Sequence, residues 1–412
     1  MKVLLANCVY KFGSTGKIVN DIQSSLKCEN IDVVITYGRS SKKNVHEDYV
    51  YKFCSELIAK LHSFFIRLGF VLPYGGNLLS TFRLLSIIRK ESPDIVHLHC
   101  MNGSCVNIYK LLEYLGKHKI PTIVTHHAEF YYTGSCGHAY DCKRWFNAQC
   151  GDCPIKYEAT QSYTFDRTHE AWIRMRRAFN YFDKDKLIFT AVSPWVKERS
   201  LLSPIVSQFP CEVVMNGIDT NIFKYSPNSN LICKRVHNCQ KNVVIHSTAF
   251  FDSNDRNNLK GGYYVVEVAK RMPNITFVIV ALNQHIDEQL PENVFVWGRT
   301  KSQQELAMLY SSADLTLITS KRETFSMVTV ESLCCGTRVV GFEAGGPESI
   351  ALPQYSYFVT YGNVEKLVSI IENIINVPYD VKRIEYDAKN IYDKTYMANR
   401  YNNIYKRILH NC

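Results

Sequence analysis

The sequence predicts an α/β chain built from two Rossmann-like, doubly wound domains facing a cleft. Three observations predict it. Short apolar runs alternate with amphipathic stretches almost throughout, the rhythm of parallel strands joined by covering helices. The rhythm restarts after the stretch "LLSPIVSQFPCEVVMNGIDTNIF", which carries Pro204, Pro210 and Gly217. The 412 residues also exceed what one typical core holds.

In the first half, "KVLLANCV" reads as a strand ending at a glycine loop. Ile18, Val19, Ile22 and Leu26 then recur at helical spacing. "DVVITYG", "DIVHLHC", "PTIVTHH" and "KLIFTAVS" read as further buried strands, and "NIYKLLEYLGK" as a helix. In the second half, "NVVIHSTAF", "ITFVIVAL", "VFVWG", "DLTLITS" and "TRVVGF" read as strands. "GGYYVVEVAKRM", "SQQELAMLYSSA" and "FSMVTVESLCCG" read as helices between them. A terminal helix carries Tyr401, Ile404, Tyr405 and Ile408 on one stripe. The expected division is 1–205, a linker 206–221, a second domain 222–394, and the helix 395–412, packing back on the first domain. In such sheets ligands bind beyond the carboxyl ends of the strands.

Composition narrows the function. Hydrophobic residues at 46% and charged residues at 21% describe a globular chain. A net charge of +10 favours an anionic partner. The cations are dispersed, so nucleic acid is not expected. The opening "MKVLLANCVY" reads as a strand rather than a secretory leader. Fifteen scattered cysteines then suggest a reducing, cytoplasmic setting, at the inner face of the cytoplasmic membrane if the chain meets lipid. No run is long and apolar enough to span a bilayer. Between Phe53 and Lys90, apolar faces mix with Lys60, Arg67, Arg83, Arg89 and Lys90. Both an interfacial helix and an ordinary amphipathic helix fit that pattern, and peripheral membrane contact is the expectation.

"KFGSTGKIV" resembles the end of a Walker A loop, but Lys11 replaces its first glycine and Ile18 its magnesium-binding hydroxyl. Gly13 and Gly16 are expected to let the backbone approach a ligand. Ser14 and Thr15 are expected to cap the helix or donate to a phosphate. In "SKRETFSMVTVESLCCGTRVVGFEAGGPESI", Glu323 falls in a loop and Glu331 follows eight positions later. A helix starting near Phe325 would put its free N–H groups between two carboxylates. That unit can hold a diphosphate flanked by hydroxylated groups. Cys136, Cys142, Cys150 and Cys153, with five, seven and two residues between them, could form a structural zinc site, free thiols or a redox pair.

These motifs resemble retaining glycosyltransferases of the GT-B fold, glycosyltransferase family 4. The pattern there runs acidic-x-x-F, then E-A-x-A-x-G-x-P-V-V and G-G-x-x-E; Ser332, Cys334 and Arg338 depart from it. "VVMNGIDTNIF", "NLKGG" and "ELAMLYSSADLTLITS" extend the resemblance along the chain. "HLHCMNGSCVN" and "VTHHAEFYYTGSCGHAYDCKRWFNAQCGDCP" resemble a bacterial subgroup that builds capsule, O-antigen and exopolysaccharide. That subgroup keeps the four cysteines and reads "GSTG[RK]I" at the first glycine loop.

The resemblance implies a sugar moved from a UDP- or GDP-linked donor to a glycan or polyprenyl-linked acceptor, with retention and with no cofactor required. Residues 1–205 would bind the acceptor, with the cysteine-rich loop at 133–154, and 222–394 the donor. Glu331 would hold the ribose and Glu323 the donor sugar. Backbone amides of Phe325, Ser326 and Met327 would lie near sugar and phosphates. Lys260 would neutralise the diphosphate with Arg256 as its partner, since Ala249-Phe250 stands where the family has Gly-Arg. His127 would reach the transferred sugar, with Glu129 standing in for an aspartate that Ala128 replaces. His97 and His99 are read as structural. The loop at Gly298 and Arg299 is the expected base-recognition segment. Two rivals are a GT-B nucleotide-sugar epimerase and a degenerate glycan-binding partner subunit.

Overall fold

The computed structural model describes residues 1–40, 47–147, 150–227, 231–286 and 289–410. Residues 148–149 of the expected cysteine-rich loop and 411–412 of the expected terminal helix lie outside the described residues. The chain divides into two compact units, Met1–Met215 with Met397–Cys412, and Asn216–Tyr396.

The first unit is built on a seven-stranded sheet in the order β3-β2-β1-β4-β5-β6-β7. Its strands are β1 (Lys2–Val9), β2 (Asp32–Arg39), β3 (Val50–Lys52), β4 (Ile95–Leu98), β5 (Thr122–His126), β6 (Leu187–Ala191) and β7 (Cys211–Val213). Every pairing is parallel. The central strands are buried on both faces, which is why they read as unbroken apolar runs. The helix Gly13–Cys28 lays Ile18, Val19, Ile22 and Leu26 on one face of this sheet. Met397, Tyr401, Ile404, Tyr405 and Ile408 of the helix Lys394–His410 join the same core.

The second unit has six parallel strands in the order β10-β9-β8-β11-β12-β13. They are β8 (Val243–Asp252), β9 (Thr276–His285), β10 (Val294–Val296), β11 (Leu315–Ile318), β12 (Arg338–Phe342) and β13 (Ser356–Val359). The helices Gly262–Arg271 and Val364–Ile375 cover one face with Val265, Val268, Leu367 and Ile371.

The sequence reading differs from the structure mainly at edges. β3, β7 and β13 are three or four residues long and partly exposed, so they carry no apolar run to read. Cys211–Val213 pairs with β6 through Phe189↔Cys211, which makes part of the expected linker 206–221 a sheet edge of the first unit.

Candidate active site

In both sheets the strand order reverses beside the first strand of the unit, between β1 and β4 and between β8 and β11. Loops leaving two such strands run in opposite directions and open a crevice at their carboxyl ends. Lys260 and Glu323 in the second unit, and the first glycine loop in the first, follow the strands at these two points.

In the second unit, Lys260 lies in the loop after β8 and Glu323 in the loop after β11. Lys260 Nζ stands 2.5 Å from Glu323 Oε1, and Ser320 Oγ donates to the same oxygen at 3.0 Å. Lys321 N donates to Leu259 O at 2.8 Å, which laces the loops together. Gly261 makes this approach possible. It has φ +68°, and a Cβ there would lie 2.0 Å from Thr319 O. The Glu323 loop is held from its other side by Glu323 N to Ala344 O at 3.0 Å and Gly346 N to Glu323 O at 2.8 Å.

The next helix runs from Met327 to Cys334, capped by Ser326, whose side chain accepts from Thr329 N at 3.3 Å. The sequence reading began it near Phe325. Ser326 instead turns the chain at φ 107°, a region costly to any residue with a side chain, and such strain clusters at functional sites. The first-turn N–H groups of a helix lack intrahelical partners, so this terminus favours an anion. Glu331 sits one turn in and accepts a hydrogen bond from Tyr310 at 3.3 Å. Burial first, and Glu331 second, raise the Tyr310 phenol well above its ordinary value, so it stays a donor. His246 of β8 is buried, hydrogen-bonds Leu317 O at 2.9 Å, and is pushed down to about 4 by burial, with nearby Lys260 adding to the shift. Tyr310, Ser320 and His246 were missed from sequence because a tyrosine or histidine inside an apolar run reads as core. Arg256 is fully exposed, and its Nε donates to Tyr264 Oη at 3.3 Å.

In the first unit, Gly13 takes φ +65°, and Gly16 is packed so that a Cβ would stand 3.2 Å from Val9 Cγ2. Phe12, not Ser14 or Thr15, occupies the N-cap, without a side-chain bond. The helix begins at Gly13, so Ser14 and Thr15 fall past the cap, inside the first turn; Thr15 Oγ1 accepts from Asn7 Nδ2 at 3.3 Å. Four histidines gather at the ends of β4 and β5. His127 Nε2 lies 3.0 Å from His99 Nδ1. His97 is held by Tyr405 Oη and Thr125 Oγ1, each at 2.7 Å. Burial lowers all of them, His127 to about 4 and His126 to about 3, so they are neutral at pH 7. His99 gives His127 an orienting contact. Glu129 does not supply it: its carboxylate accepts from Arg199 Nε at 2.6 Å, Tyr132 Oη at 2.9 Å and Ala139 N at 2.6 Å. A fully buried carboxylate needs such partners.

Cys136, Cys142, Cys150 and Cys153 are neighbours. Burial, and next the other three thiols, raise the Cys136 thiol. Among the described residues, no group of three or more His, Cys, Asp or Glu is arranged to hold a metal ion.

Two parallel-sheet units of this topology define the GT-B class of fold. Residues 255–391 match the family model of glycosyl transferases group 1, and residues 29–222 that of Glycosyltransferase Family 4. Sucrose-phosphate synthase from Thermosynechococcus elongatus is similar over 100% of both chains, at 12% identity and a TM-score of 0.67. Anabaena Alr3699/HepE in complex with UDP is similar over 98% of this chain and 100% of that one, at 17% identity and a TM-score of 0.67. The MMP alpha-(1->4)-mannosyltransferase of Mycolicibacterium hassiacum is 31% identical over 85 residues, which span 20% of this chain and only 21% of that relative. The two family models match separate parts of the chain, and the solved structures share its GT-B fold.

Proposed function

We propose that this protein is a retaining glycosyltransferase that moves a sugar from a nucleotide-diphosphate donor to a glycan or polyprenyl-linked acceptor in bacterial surface polysaccharide synthesis. The observation that carries the reading is the Lys260–Glu323 pair over the β8/β11 crevice, beside the helix terminus at Ser326. An ammonium and a helix terminus suit a diphosphate, and carboxylates at Glu323 and Glu331 suit sugar hydroxyls on either side. Complexes of the Anabaena protein with UDP and with UDP-glucose favour a uridine donor.

In this reading the bond from the donor's anomeric carbon to its phosphate oxygen breaks. The acceptor oxygen bonds that carbon on the same face, and its proton passes to the departing phosphate. Lys260 and the helix terminus meet the developing charge without a metal. Arg256 would need to leave Tyr264 to assist. His127, neutral and oriented by His99, would act by hydrogen bonding rather than charge. The test is a thermal-shift panel of UDP- and GDP-sugars, since a ligand bound only by the native state raises its melting temperature. Acceptor-dependent release of nucleoside diphosphate then follows, with the product anomer read by NMR. Release of a free, epimerised sugar nucleotide without acceptor would favour an epimerase. Binding without turnover would favour a partner subunit.

A further inference from the structure

His97 lies in β4 and His99 one residue beyond its end, and contacts run from this pair to His127. His97 is fixed at both ring nitrogens, by Tyr405 Oη and by Thr125 Oγ1, each at 2.7 Å. The His99 ring lies against that fixed ring, with centroids 3.9 Å apart. Tyr131 Oη donates to the His99 carbonyl at 3.3 Å, and the whole of His99 is buried. Its ring is therefore held on several sides. His99 Nδ1 meets His127 Nε2 at 3.0 Å. His99 Nε2 is sealed from solvent and has no hydrogen-bond partner among the described residues.

The two nitrogens of His99 together decide where the protons sit. Burial keeps His99 and His127 neutral at pH 7. A neutral imidazole has one N–H and one bare nitrogen. The 3.0 Å contact therefore holds a single proton, donated by one ring or the other. Were His127 Nε2 the donor, His99 Nδ1 would be bare. The His99 proton would then sit on Nε2, a buried N–H with nothing to receive it. Were His99 Nδ1 the donor, the sealed Nε2 would instead be a bare nitrogen with a spare lone pair. In folded chains an orphaned buried N–H is rarer than an under-used buried acceptor. The second arrangement is favoured, and it places the His127 proton on Nδ1.

We propose that His99 is a positioning residue: its Nδ1–H donates to His127 Nε2 and so fixes His127 as an Nδ1–H donor. A ring held in this form gives a hydrogen bond to an oxygen and takes no proton from one. The role rests on the sugar-transfer reading, in which His127 then supports an oxygen of the transferred sugar and leaves the acceptor's proton to the departing phosphate. The tautomer itself is present without substrate, so it stands or falls apart from that reading.

The test is a long-range proton–nitrogen NMR correlation on the full chain with isotope-labelled histidine at pH 7. His99→Leu and His127→Gln identify the two rings. The expected result for both rings is an N–H shift at Nδ1 and a bare-nitrogen shift at Nε2. A His127 proton on Nε2, or on both nitrogens, would overturn the proposal whether or not a donor sugar has been found. His99→Leu should move His127 away from the Nδ1–H form. It should also lower kcat about fivefold, the worth of one neutral hydrogen bond, with KM for the sugar nucleotide near the parent value. His99→Asn, whose amide N–H falls near the lost Nδ1, should recover part of both effects. A His127 pattern that stays the same in His99→Leu removes the positioning role, and so does an undiminished kcat.

Discussion

Replacing Glu323 with glutamine should change donor binding and sugar transfer in opposite directions. The Lys260 ammonium is engaged by Glu323 at 2.5 Å. A diphosphate arriving there must compete with that carboxylate. The two side chains are 31% and 22% exposed, so the pair is partly solvated and its net worth is at most about 1 kcal/mol. Removing the competing charge should therefore tighten UDP by up to about fivefold. In the proposed function the same change also removes a charged acceptor for the donor sugar. Hydrogen bonds to charged groups are worth about 1.5–3 kcal/mol, which puts transfer down by roughly 10- to 150-fold. Calorimetric titration with UDP and a turnover assay with the matching UDP-sugar measure the two effects. Lys260→Ala provides the contrast, with UDP weakened about tenfold or more. The reasoning is refuted if Glu323→Gln weakens UDP, or if transfer survives at the parent rate.

Three further outcomes are expected. The His126 ring stacks on Phe189 at 4.9 Å, and neither nitrogen finds a hydrogen-bond partner among the described residues; His126→Phe should keep the stacking, remove a buried polar ring, and leave thermal stability equal or higher. The His126 value near 3 in the folded chain lies below the ordinary 6.5, so the unfolded chain binds more protons between those values. Its contribution is complete above pH 6.5 and is lost on acidification toward 3, at about 1.4 kcal/mol per pH unit. His97, His99 and His127 are depressed too and add to the slope; melting temperatures should fall steeply as the pH drops below 6.5 in the parent, and less steeply in His126→Phe, with no such fall from these groups above pH 6.5. Gly261→Ala should lower the melting temperature and weaken UDP together, because it adds a left-handed strain of about 1–2 kcal/mol and a Cβ 2.0 Å from Thr319 O. Gly13→Ala, with φ +65° and nothing within 4 Å, should show the strain alone.

Buried parallel strands announce themselves, and β1, β4, β5, β8 and β11 were legible as unbroken apolar runs. Lys260 and Glu323 were legible because each follows such a run. Their contact was not, since it depends on β8 and β11 lying side by side in the sheet order. In the sequence His99 reads as a structural strand histidine, whereas its period-two spacing from His97 and the pairing of β4 with β5 carry it to His127. Glu129 was misassigned because proximity in sequence says nothing of Arg199, seventy residues away, which engages it. Ser14 and Thr15 have capping chemistry, but the chain turns two residues earlier, at Phe12.

The helix contributing Tyr401 and Tyr405 raises a question of timing. Both tyrosines reach the network around His97 and Thr125, and Ile404 and Ile408 complete the core on β1. A ribosome makes these residues only after the entire second unit. The first unit, made earliest, therefore waits with part of one face of its sheet uncovered, beside the helix Gly13–Cys28, while the rest is synthesised. Domains usually fold in the order they are made. Here the second unit, continuous from Asn216 to Tyr396, can close before the first is finished. Shortening the chain near its carboxyl end should accordingly injure the amino-terminal unit.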